Sequence, residues 1–352
     1  MGCELIRIVG VNTVYHELTA TPHTVHWGYF DNQLAPVLTV DSGDIVKVET
    51  VTHQAGDAPD FLMDPAIEDI YQSISPETRG PGVHLLTGPI FVRGAVPGDT
   101  LEVRYLTMTS RLPYGTNVSA NWGSLYETLN RPERVTIFEI NDRLQQARAL
   151  FAYDFPWRYQ VPGQVISPDF VKRTPALSRV RIPLRPHVGT AGVAPKENGR
   201  ISSIPPGQHG GNIDNWRIGP GSTMFYPVFV PGALFSLGDS HVSQGDGEID
   251  GTAIEASLDI MMQVVLRKDV NIPGPLLETA DSWCIHAFNT DLNQAVRQAA
   301  LDSIQFLHEQ RGLSVDEAYT MLSVACDFGV TQVVDHKQGI HVIIPKGLFV
   351  PN

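Results

Sequence analysis

The sequence is poor in cysteine and has no long apolar segment. Its three cysteines, Cys3, Cys284 and Cys326, are odd in number and far apart, so we expect reduced thiols rather than a disulfide framework. No apolar run approaches the roughly 20 residues that cross a bilayer, and the first residues lack the basic and apolar regions of a secretory signal. These absences predict a cytoplasmic protein without a membrane partner.

Basic residues are also scarce, with 25 Lys and Arg against 38 Asp and Glu and a formal net charge of −13. A nucleic-acid-binding surface needs a basic stripe that neutralises phosphates. An anionic membrane surface would likewise repel this chain. We therefore expect neither a nucleic-acid partner nor docking on a membrane surface.

The placement of glycine and proline predicts a mainly β fold. The 31 glycines and 26 prolines separate short apolar runs, as in strands joined by turns. Residues 36–51 and 91–106 both read as an apolar run, a Gly-Asp turn and an alternating strand, which predicts two related ladders with hairpin-like corners. Residues 52–82 between them, partly helical at 66–73, are long enough to form a lid or a site wall.

The last third of the chain predicts helices. Residues 289–312 have an amphipathic pattern that ends at Gly312, and Ser314 with Glu317 forms a capping box before a second helix. The apolar face predicted for the first helix comprises Leu292, Val296, Ala299, Ile304 and Leu307.

Further strands are predicted at 134–141, 180–184, 221–230, 331–335 and 340–349. The predicted architecture is therefore a mainly β domain of sandwich-like layers over residues 1–265, followed by a C-terminal α+β segment over 266–352 that packs on it.

Chemistry-bearing side chains gather in FVPGALFSLGDSHVSQGDGEIDGTAIE, residues 229–255. Asp239 and His241 are two apart, so on a strand they point to the same face. Carboxylate oxygen and imidazole nitrogen are ligands that Zn²⁺ and related ions take. The interspersed glycines allow the backbone to fold Asp246 and Glu248 back to the same point. The stretch predicts a metal or acid–base site.

A second glycine-rich loop, GQHGGNIDN at 207–215, offers His209, Asn212 and Asp214. Asp and Gly together are also ordinary turn residues, so the density of acidic groups carries the argument rather than any one of them. Gathering these carboxylates without a cation would raise their pKa values. A metal ion removes that cost, and a general base makes use of it.

Other histidines are weaker candidates. His26, beside Trp27, and His84, before LLTGP, could reach the site. His187 and His336 are expected to be core or surface residues rather than ligands.

Four stretches carry a family resemblance: VHWGYFDNQLAPVLTVDSGDIVKVE, LLTGPIFVRGAVPGDTLEV, QHGGNIDN and FVPGALFSLGDSHVSQGDGE. In this order they resemble the acetamidase/formamidase family, from about residue 24 to residue 260 and more loosely to the end. The resemblance implies a mainly β fold, metal-dependent hydrolysis of small primary amides to carboxylate and ammonia, and homo-oligomers. The positions it implies are Asp214, Asp239, His241 and Glu248, with Asn212, Asp246 and Glu255 nearby.

The expected mechanism has Asp214, Asp239 and His241 holding a divalent ion, with zinc expected and calcium as a further ion. Glu248 is the expected general base, and Asn212 or a glycine N–H is the expected oxyanion donor. The remaining residues of a possible additional site are Asp246, Glu255, His209, His84 and His26. If 52–82 and the aromatic stretch 153–159 line the pocket, the substrate is larger than formamide.

Three alternatives stay open from the residues alone. A thiol-dependent amidase would use Cys284 with His286, two residues away. A metal hydrolase could act on another C–N bond, such as a carbamoyl or imide group. A non-catalytic module could bind Ca²⁺ through the same acidic loops.

Overall fold

The computed structural model describes residues 13–158 and 163–350, so Cys3 lies outside the described residues. The strands are β1 (Tyr15–Leu18), β2 (Val25–Trp27), β3 (Tyr29–Phe30), β4 (Leu38–Val40), β5 (Ile45–Thr50), β6 (Leu85–Val92), β7 (Thr100–Ser110), β8 (Tyr114–Ser119), β9 (Arg134–Asn141), β10 (Gln146–Asp154), β11 (Ile182–Pro183), β12 (His187–Gly192), β13 (Ile201–Ser202), β14 (Gly210–Asn212), β15 (Thr223–Pro227), β16 (Phe235–Ser243), β17 (Ile254–Glu255), β18 (Leu258–Arg267), β19 (Leu276–Glu278), β20 (Ser282–Asn289), β21 (Asp327–Gln332) and β22 (Gln338–Pro345). The α-helices are α1 (Pro59–Leu62), α2 (Pro65–Ser73), α3 (Tyr126–Leu129), α4 (Leu292–Arg311) and α5 (Val315–Ala325), and single 3-10 turns cover Ala55–Asp57, Pro76–Thr78, Pro168–Phe170 and Lys346–Leu348.

Two large sheets form the layers of the fold. The first has nine of the described strands, in the order β1-β5-β18-β7-β15-β19-β20-β22-β21. The second has eleven, with β11-β10-β9-β8-β17-β16-β12-β14 in line and β6 joining β2 and β4 to β16. Buried side chains of both sheets, such as Val48 and Ile260 of the first and Ile90 and Leu237 of the second, form one core cluster. The predicted mainly β fold with sandwich-like layers is confirmed.

The two related sequence stretches occupy equivalent places. β4 and β6 pair in parallel, with Leu38 opposite Ile90, and each is followed by a turn whose glycine has a positive φ, 100° at Gly43 and 98° at Gly98. The aspartate after each glycine accepts a backbone hydrogen bond, at 2.9 and 3.0 Å. The chain then enters the other sheet as β5 and β7, on either side of β18. The predicted hairpin geometry is wrong, because each turn joins strands of different sheets.

Strand β16 is covered on both faces. All of its residues are buried, whereas β5 alternates between buried and partly exposed positions. β16 pairs with β12, β6 and β17 in the interior of the second sheet. Because β16 carries Asp239 and His241, the fold places two ionisable groups in the middle of a buried layer.

The excursion 52–82 forms a second core. The side chain of Asp64 caps α2 by accepting hydrogen bonds from the first helical N–H groups, and the predicted helix at 66–73 is observed as Pro65–Ser73. Ile67 and Ile70 pack in one cluster with Ile137 of β9. The excursion therefore covers the second sheet near β8, β9 and β10.

The C-terminal helices pack on β20 and β22 in a third cluster. Both predicted helices, the αL stop at Gly312 and the capping box at Ser314 are present. The predicted apolar face of α4 is partly wrong, because Ala295 is buried while Val296 is exposed. A small residue is needed where the helix approaches the sheet closely.

Several predicted strand bounds are shorter or shifted in the structure. The pairing observed near 180–184 covers two residues, and the strand predicted at 221–230 is five residues long. The segment 331–335 is not a strand of its own, since β21 begins at Asp327 and ends at Gln332. The residues after Gln332 turn away from the sheet.

Strands from both sides of residue 265 share the nine-stranded sheet, because β15 pairs with β19. The division of the chain at that residue stays a prediction. None of the described helices combines the length and the apolar character needed to span a bilayer.

The second core contains a buried acid that should make stability depend on pH. Asp57 is 2% exposed, Thr116 Oγ1 donates to its Oδ2 at 3.0 Å, and burial raises the pKa of Asp57 to about 8. A carboxyl group whose pKa is raised on folding favours the folded state at low pH. Its contribution is lost as the pH rises from about 4 to about 8, with a slope of at most ~1.4 kcal/mol per pH unit.

We therefore expect Asp57→Asn, which keeps the acceptor for Thr116, to lose less unfolding free energy than the parent protein between pH 5 and pH 8. Urea unfolding at both pH values in the presence of a chelator measures this, with the exposed Asp154→Asn as a matched control. Equal pH dependence in the parent and Asp57→Asn would contradict a raised pKa at this residue.

Candidate active site

A cavity of about 120 Å³ lies beside β16. Five carboxyl groups line it, those of Asp214, Asp239, Glu248, Glu255 and Asp335. All five side chains are buried. They come from β16, from β17 and from the segments after β14, β16 and β21. The cavity is thus an acidic site assembled from distant parts of the chain.

Three of these acids have a left-handed backbone. φ is 55° at Asp214, 49° at Asp239 and 43° at Glu248, a region that side chains with a Cβ occupy at a cost of about 1–3 kcal/mol. Neighbouring backbone bonds hold two of them, from Asp214 N–H to Gly189 O at 3.2 Å and from Glu248 N–H to Gly245 O at 3.3 Å. Such strain at neighbouring buried positions is typical of functional sites.

His241 lies at the centre of the acidic groups. Its Nε2 is 3.1 Å from Glu255 Oε2 and 3.6 Å from Asp239 Oδ1. Its Nδ1 is 3.0 Å from His187 Nε2 and 3.2 Å from Gln244 Oε1. Every one of these groups is buried, so the imidazole has acidic groups on one side and a polar anchor on the other.

The two polar groups at Nδ1, from His187 and Gln244, decide whether His241 Nε2 carries a proton. Gln244 Nε2 donates to Asp214 O at 2.6 Å, which leaves Gln244 Oε1 as an acceptor. His187 Nδ1 donates to Arg185 O at 2.6 Å, so His187 Nε2 is an acceptor as well. Both acceptors face His241 Nδ1, which therefore carries a proton. His241 Nε2 then faces two carboxylates with a lone pair unless a cation lies between them. A second proton or a metal ion satisfies this requirement.

The pKa shifts of the acids agree with this arrangement. Burial and then Asp239 raise the pKa of Asp214 to about 7, and burial raises the pKa of Glu255 to about 7. Burial and then Asp214 raise the pKa of Glu248 well above its ordinary value. Burial alone would raise the pKa of Asp239, but His84 and His241 lower it overall. The cluster therefore resists full ionisation without a cation.

The donor atoms fit a divalent metal ion. Asp214, His241 and Glu248 form one group whose ligand atoms lie within 4.8 Å of one another, and Asp239, His241 and Glu255 form another. The mixture of imidazole nitrogen and carboxylate oxygen suits zinc and related ions. His241 belongs to both groups.

Gly189 keeps the space between these ligands open. It lies opposite Asp239, between the pairs Val188–Ser240 and Thr190–Gly238 of β12 and β16. A Cβ at Gly189 would lie 2.6 Å from Asp214 Oδ1 and 2.6 Å from His241 Cε1. Only a residue without a side chain allows the two groups to approach as they do.

Asn212 lines the cavity with its carboxamide fixed. Thr190 Oγ1 contacts Asn212 Oδ1 at 2.5 Å and Asp239 Oδ2 at 3.0 Å. The Asn212 oxygen is therefore occupied, and its Nδ2 is the atom available to a ligand as a donor.

Of the further candidates from the sequence, His84 and Glu255 line the cavity, and His84 Nε2 is 3.5 Å from Asp239 Oδ2. Asp246 is away from the cluster, because Arg217 binds both of its oxygens at 2.9 and 3.0 Å. His26 and His209 are buried against Phe30 rather than in the cavity.

Sequence reasoning missed His53 and Asp335. His53 follows β5 and lines the cavity with Gln54, in a segment expected only as a wall. Asp335 was assigned to a strand, although its neighbour His336 also lines the cavity. The Asp-His pair after an apolar run was the available signal. His187 is a buried residue that contacts His241, consistent with its expected place in the core.

The thiol alternative has little support in the geometry. Cys284 is fully buried, burial raises its pKa to about 12, and it does not line the cavity. His286 Nε2 instead receives a hydrogen bond from Asn215 at 3.0 Å. A reactive cysteine needs the opposite, an accessible thiol with a lowered pKa.

The expected walls are only partly in place. His53 and Gln54 of the excursion 52–82 line the cavity, but the described residues of the aromatic stretch, 153–158, do not. Tyr153 is buried in the second core, where its hydroxyl donates to Asp57 O at 2.6 Å.

Comparisons with known proteins agree with one another. Residues 15–200 and 198–350 match the description "Acetamidase/Formamidase family". An acetamidase of Mycolicibacterium smegmatis is 29% identical over 69% of this chain and 73% of its own length. A formamidase of Methylophilus methylotrophus is 29% identical over 76% of each chain. The crystal structure of an acetamidase from Yersinia enterocolitica superposes with a TM-score of 0.77 at 28% identity, covering 97% of this chain and 95% of that one.

The space at Gly189 gives a direct test of the site. In Gly189→Ala the new Cβ should push Asp214 and His241 apart, so zinc bound per chain should fall, and overpacking should lower the free energy of unfolding by about 1–3 kcal/mol. Elemental analysis after zinc loading and urea unfolding measure the two effects. Gly274→Ala is the matched control, because its Cβ would meet nothing within 4 Å. Full zinc binding by Gly189→Ala would show that the ion does not use this space.

Proposed function

Since the chain belongs to the Acetamidase/Formamidase family, we propose that it is an amidase that hydrolyses a small primary amide to a carboxylate and ammonia with a bound divalent metal ion. Relatives named acetamidase and formamidase support the amidase activity. The metal dependence rests on the site of this chain.

The observation that carries the proposal is the pair of ligand groups that share His241. Asp214, Asp239 and His241 would hold the ion, as the sequence predicts; the two aspartates belong to different groups, and each group also contains a glutamate, Glu248 or Glu255. Zinc suits these donors best, and the number of carboxylates leaves room for a calcium ion as a second one. When bound, a divalent ion lowers the pKa of water and polarises the carbonyl group of an amide.

Glu248 is the general base in this proposal. It follows Gly247, is buried in the cavity wall, and has its pKa raised, which is the direction that a base working near neutral pH needs. Glu248 accepts a proton from the attacking water and passes it to the nitrogen, so that the amine leaves as neutral ammonia.

Asn212 stabilises the charge on the former carbonyl oxygen. Its Oδ1 is held by Thr190, so Nδ2 can donate to the oxygen without first reorienting. Preorganised donors of this kind contribute about 3–4 kcal/mol to transition-state stabilisation.

The size of the cavity supports a short acyl group. Its volume is about 120 Å³, and this space has to hold the substrate together with the ion. This favours a small aliphatic amide such as acetamide over an aromatic amide.

Two alternatives remain distinct from this proposal. An enzyme that hydrolyses another C–N bond, in a carbamoyl or imide group, would use the same metal ligands but need a pocket shaped for a different substrate. A calcium-dependent binding module would keep the ion and show no turnover. The predicted cytoplasmic location and homo-oligomeric assembly stay predictions.

Metal dependence is tested first. We expect ammonia release across formamide, acetamide, propionamide and benzamide to fall below a tenth after chelation and to return with zinc. His241→Ala should lose bound metal and activity together, because both ligand groups lose their shared member, while the folded state is retained by circular dichroism. The exposed His23→Ala is the control. Activity that survives complete removal of metal would exclude this mechanism.

Glu248→Gln separates the roles of base and ligand. The variant keeps the size of the side chain but cannot accept a proton, so we expect bound metal and KM to change little while kcat falls by roughly 10²–10⁴. Zinc analysis and steady-state kinetics measure both, with the exposed Glu197→Gln as control. Loss of metal would make Glu248 a ligand, and unchanged kcat would remove it from the mechanism.

A further inference from the structure

The turn after β21 brings the C-terminal part of the chain to the cavity. β21 ends at Gln332, and the next residues, Val334, Asp335 and His336, line the cavity. All other residues that line the cavity lie between His53 and Glu255 in the sequence. The cavity is incomplete without this turn.

The side chain of Gln332 organises the turn. Gln332 is fully buried, and its Oε1 accepts hydrogen bonds from the N–H groups of Val334 at 2.9 Å and Asp335 at 3.1 Å. Its Nε2 donates to Lys337 O at 2.6 Å. One carboxamide therefore fixes three backbone groups on both sides of Asp335.

The same turn is fastened to the loop that carries Glu248. Gly247 N–H donates to Thr331 O at 3.0 Å, and Val333 N–H donates to Gly247 O at 3.2 Å. These bonds form a parallel bridge between Gly247 and Gln332. The positions of Asp335 and Glu248 are thereby linked through the backbone.

Asp335 has an acceptor that the described protein groups do not use. The residue is 8% exposed, and its Oδ2 has no hydrogen-bond partner among the described groups. Asp335 forms a side-chain hydrogen bond with the carboxyl group of Asp214 but belongs to neither candidate metal group. A buried carboxyl oxygen without a donor is costly, so a ligand in the cavity is the natural source of one for Oδ2.

We propose that Asp335 accepts a hydrogen bond from the amide nitrogen of the substrate and thereby selects unsubstituted amides, with Gln332 as its positioning residue. This inference rests on the proposed amidase function. The nitrogen of a primary amide carries two N–H donors, whereas an N-methyl group replaces one donor with bulk. A fixed carboxyl group at this wall accepts a hydrogen bond from the N–H of a primary amide. It leaves no space for an N-methyl group.

The test compares acetamide with N-methylacetamide. In Asp335→Ala we expect kcat/KM for acetamide to fall about two- to tenfold, the scale of one lost hydrogen bond, mainly through KM. The ratio of kcat/KM for acetamide over N-methylacetamide should fall at least tenfold, and bound zinc should stay at the parental level. Gln332→Ala should lower the same ratio to a smaller extent.

The matched control is Asp327→Ala, an exposed aspartate at the start of the same strand, which should leave the kinetics unchanged. Asp335→Ala removes a buried carboxyl group with one unpartnered oxygen and keeps the backbone N–H groups that Gln332 binds, so it should remain folded even if Gln332→Ala does not. Loss of zinc from Asp335→Ala, or an equal loss of activity on both amides, would overturn the inference. A parent protein that releases ammonia from no amide overturns the proposed function and the inference with it.

Discussion

The fold is built around the burial of five carboxyl groups that no arginine or lysine of the described residues neutralises. Among the described residues that line the cavity, none is basic apart from histidine. Outside the cavity a buried carboxylate is neutralised by arginine: Glu102 forms ion pairs with Arg104 at 2.6 Å and with Arg267 at 2.8 Å. In the cavity the compensating charge has to come from histidine, with His241 at the centre, or from a bound cation. Three features place His241 and the carboxyl groups around that positive charge: the absence of a side chain at Gly189, the contact of Gln244 with His241, and the central position of β16.

The strained backbone at Asp214, Asp239 and Glu248 follows from the same constraint. Glycine would relieve the left-handed φ at each position, but it would remove the carboxyl group that the site uses. The chain places glycine next to two of these acids instead, at Gly238 before Asp239 and at Gly247 before Glu248. Backbone hydrogen bonds fix Asp214 and Glu248. The energy of the strain is offset by the packing of both sheets, so the site depends on the whole core rather than on its own contacts.

Much of this could be read from the sequence because local chemistry is informative at turns. The Gly-Asp corners, the capping box at Ser314 and the dense acidic stretch after β16 each have a short-range physical cause. The failures have long-range causes. Val296 looked buried because periodicity ignores how closely a helix approaches its sheet. Asp335 and His53 lie far from the acidic stretch in the sequence, and only the pairing of distant strands brings them to it.

The span of the site, from His53 near the first ladder to Asp335 near the last, has a consequence for synthesis. A chain still emerging from the ribosome can form β16 and its acidic loops long before β21 and β22 exist. Until those last strands join the sheet, the cavity lacks one wall, and Gly247 lacks its backbone hydrogen bonds to Thr331 and Val333. Pairing of strands so far apart is a slow, late step in folding. Catalytic competence is therefore gained at the end of folding, and fragments released early lack the finished site.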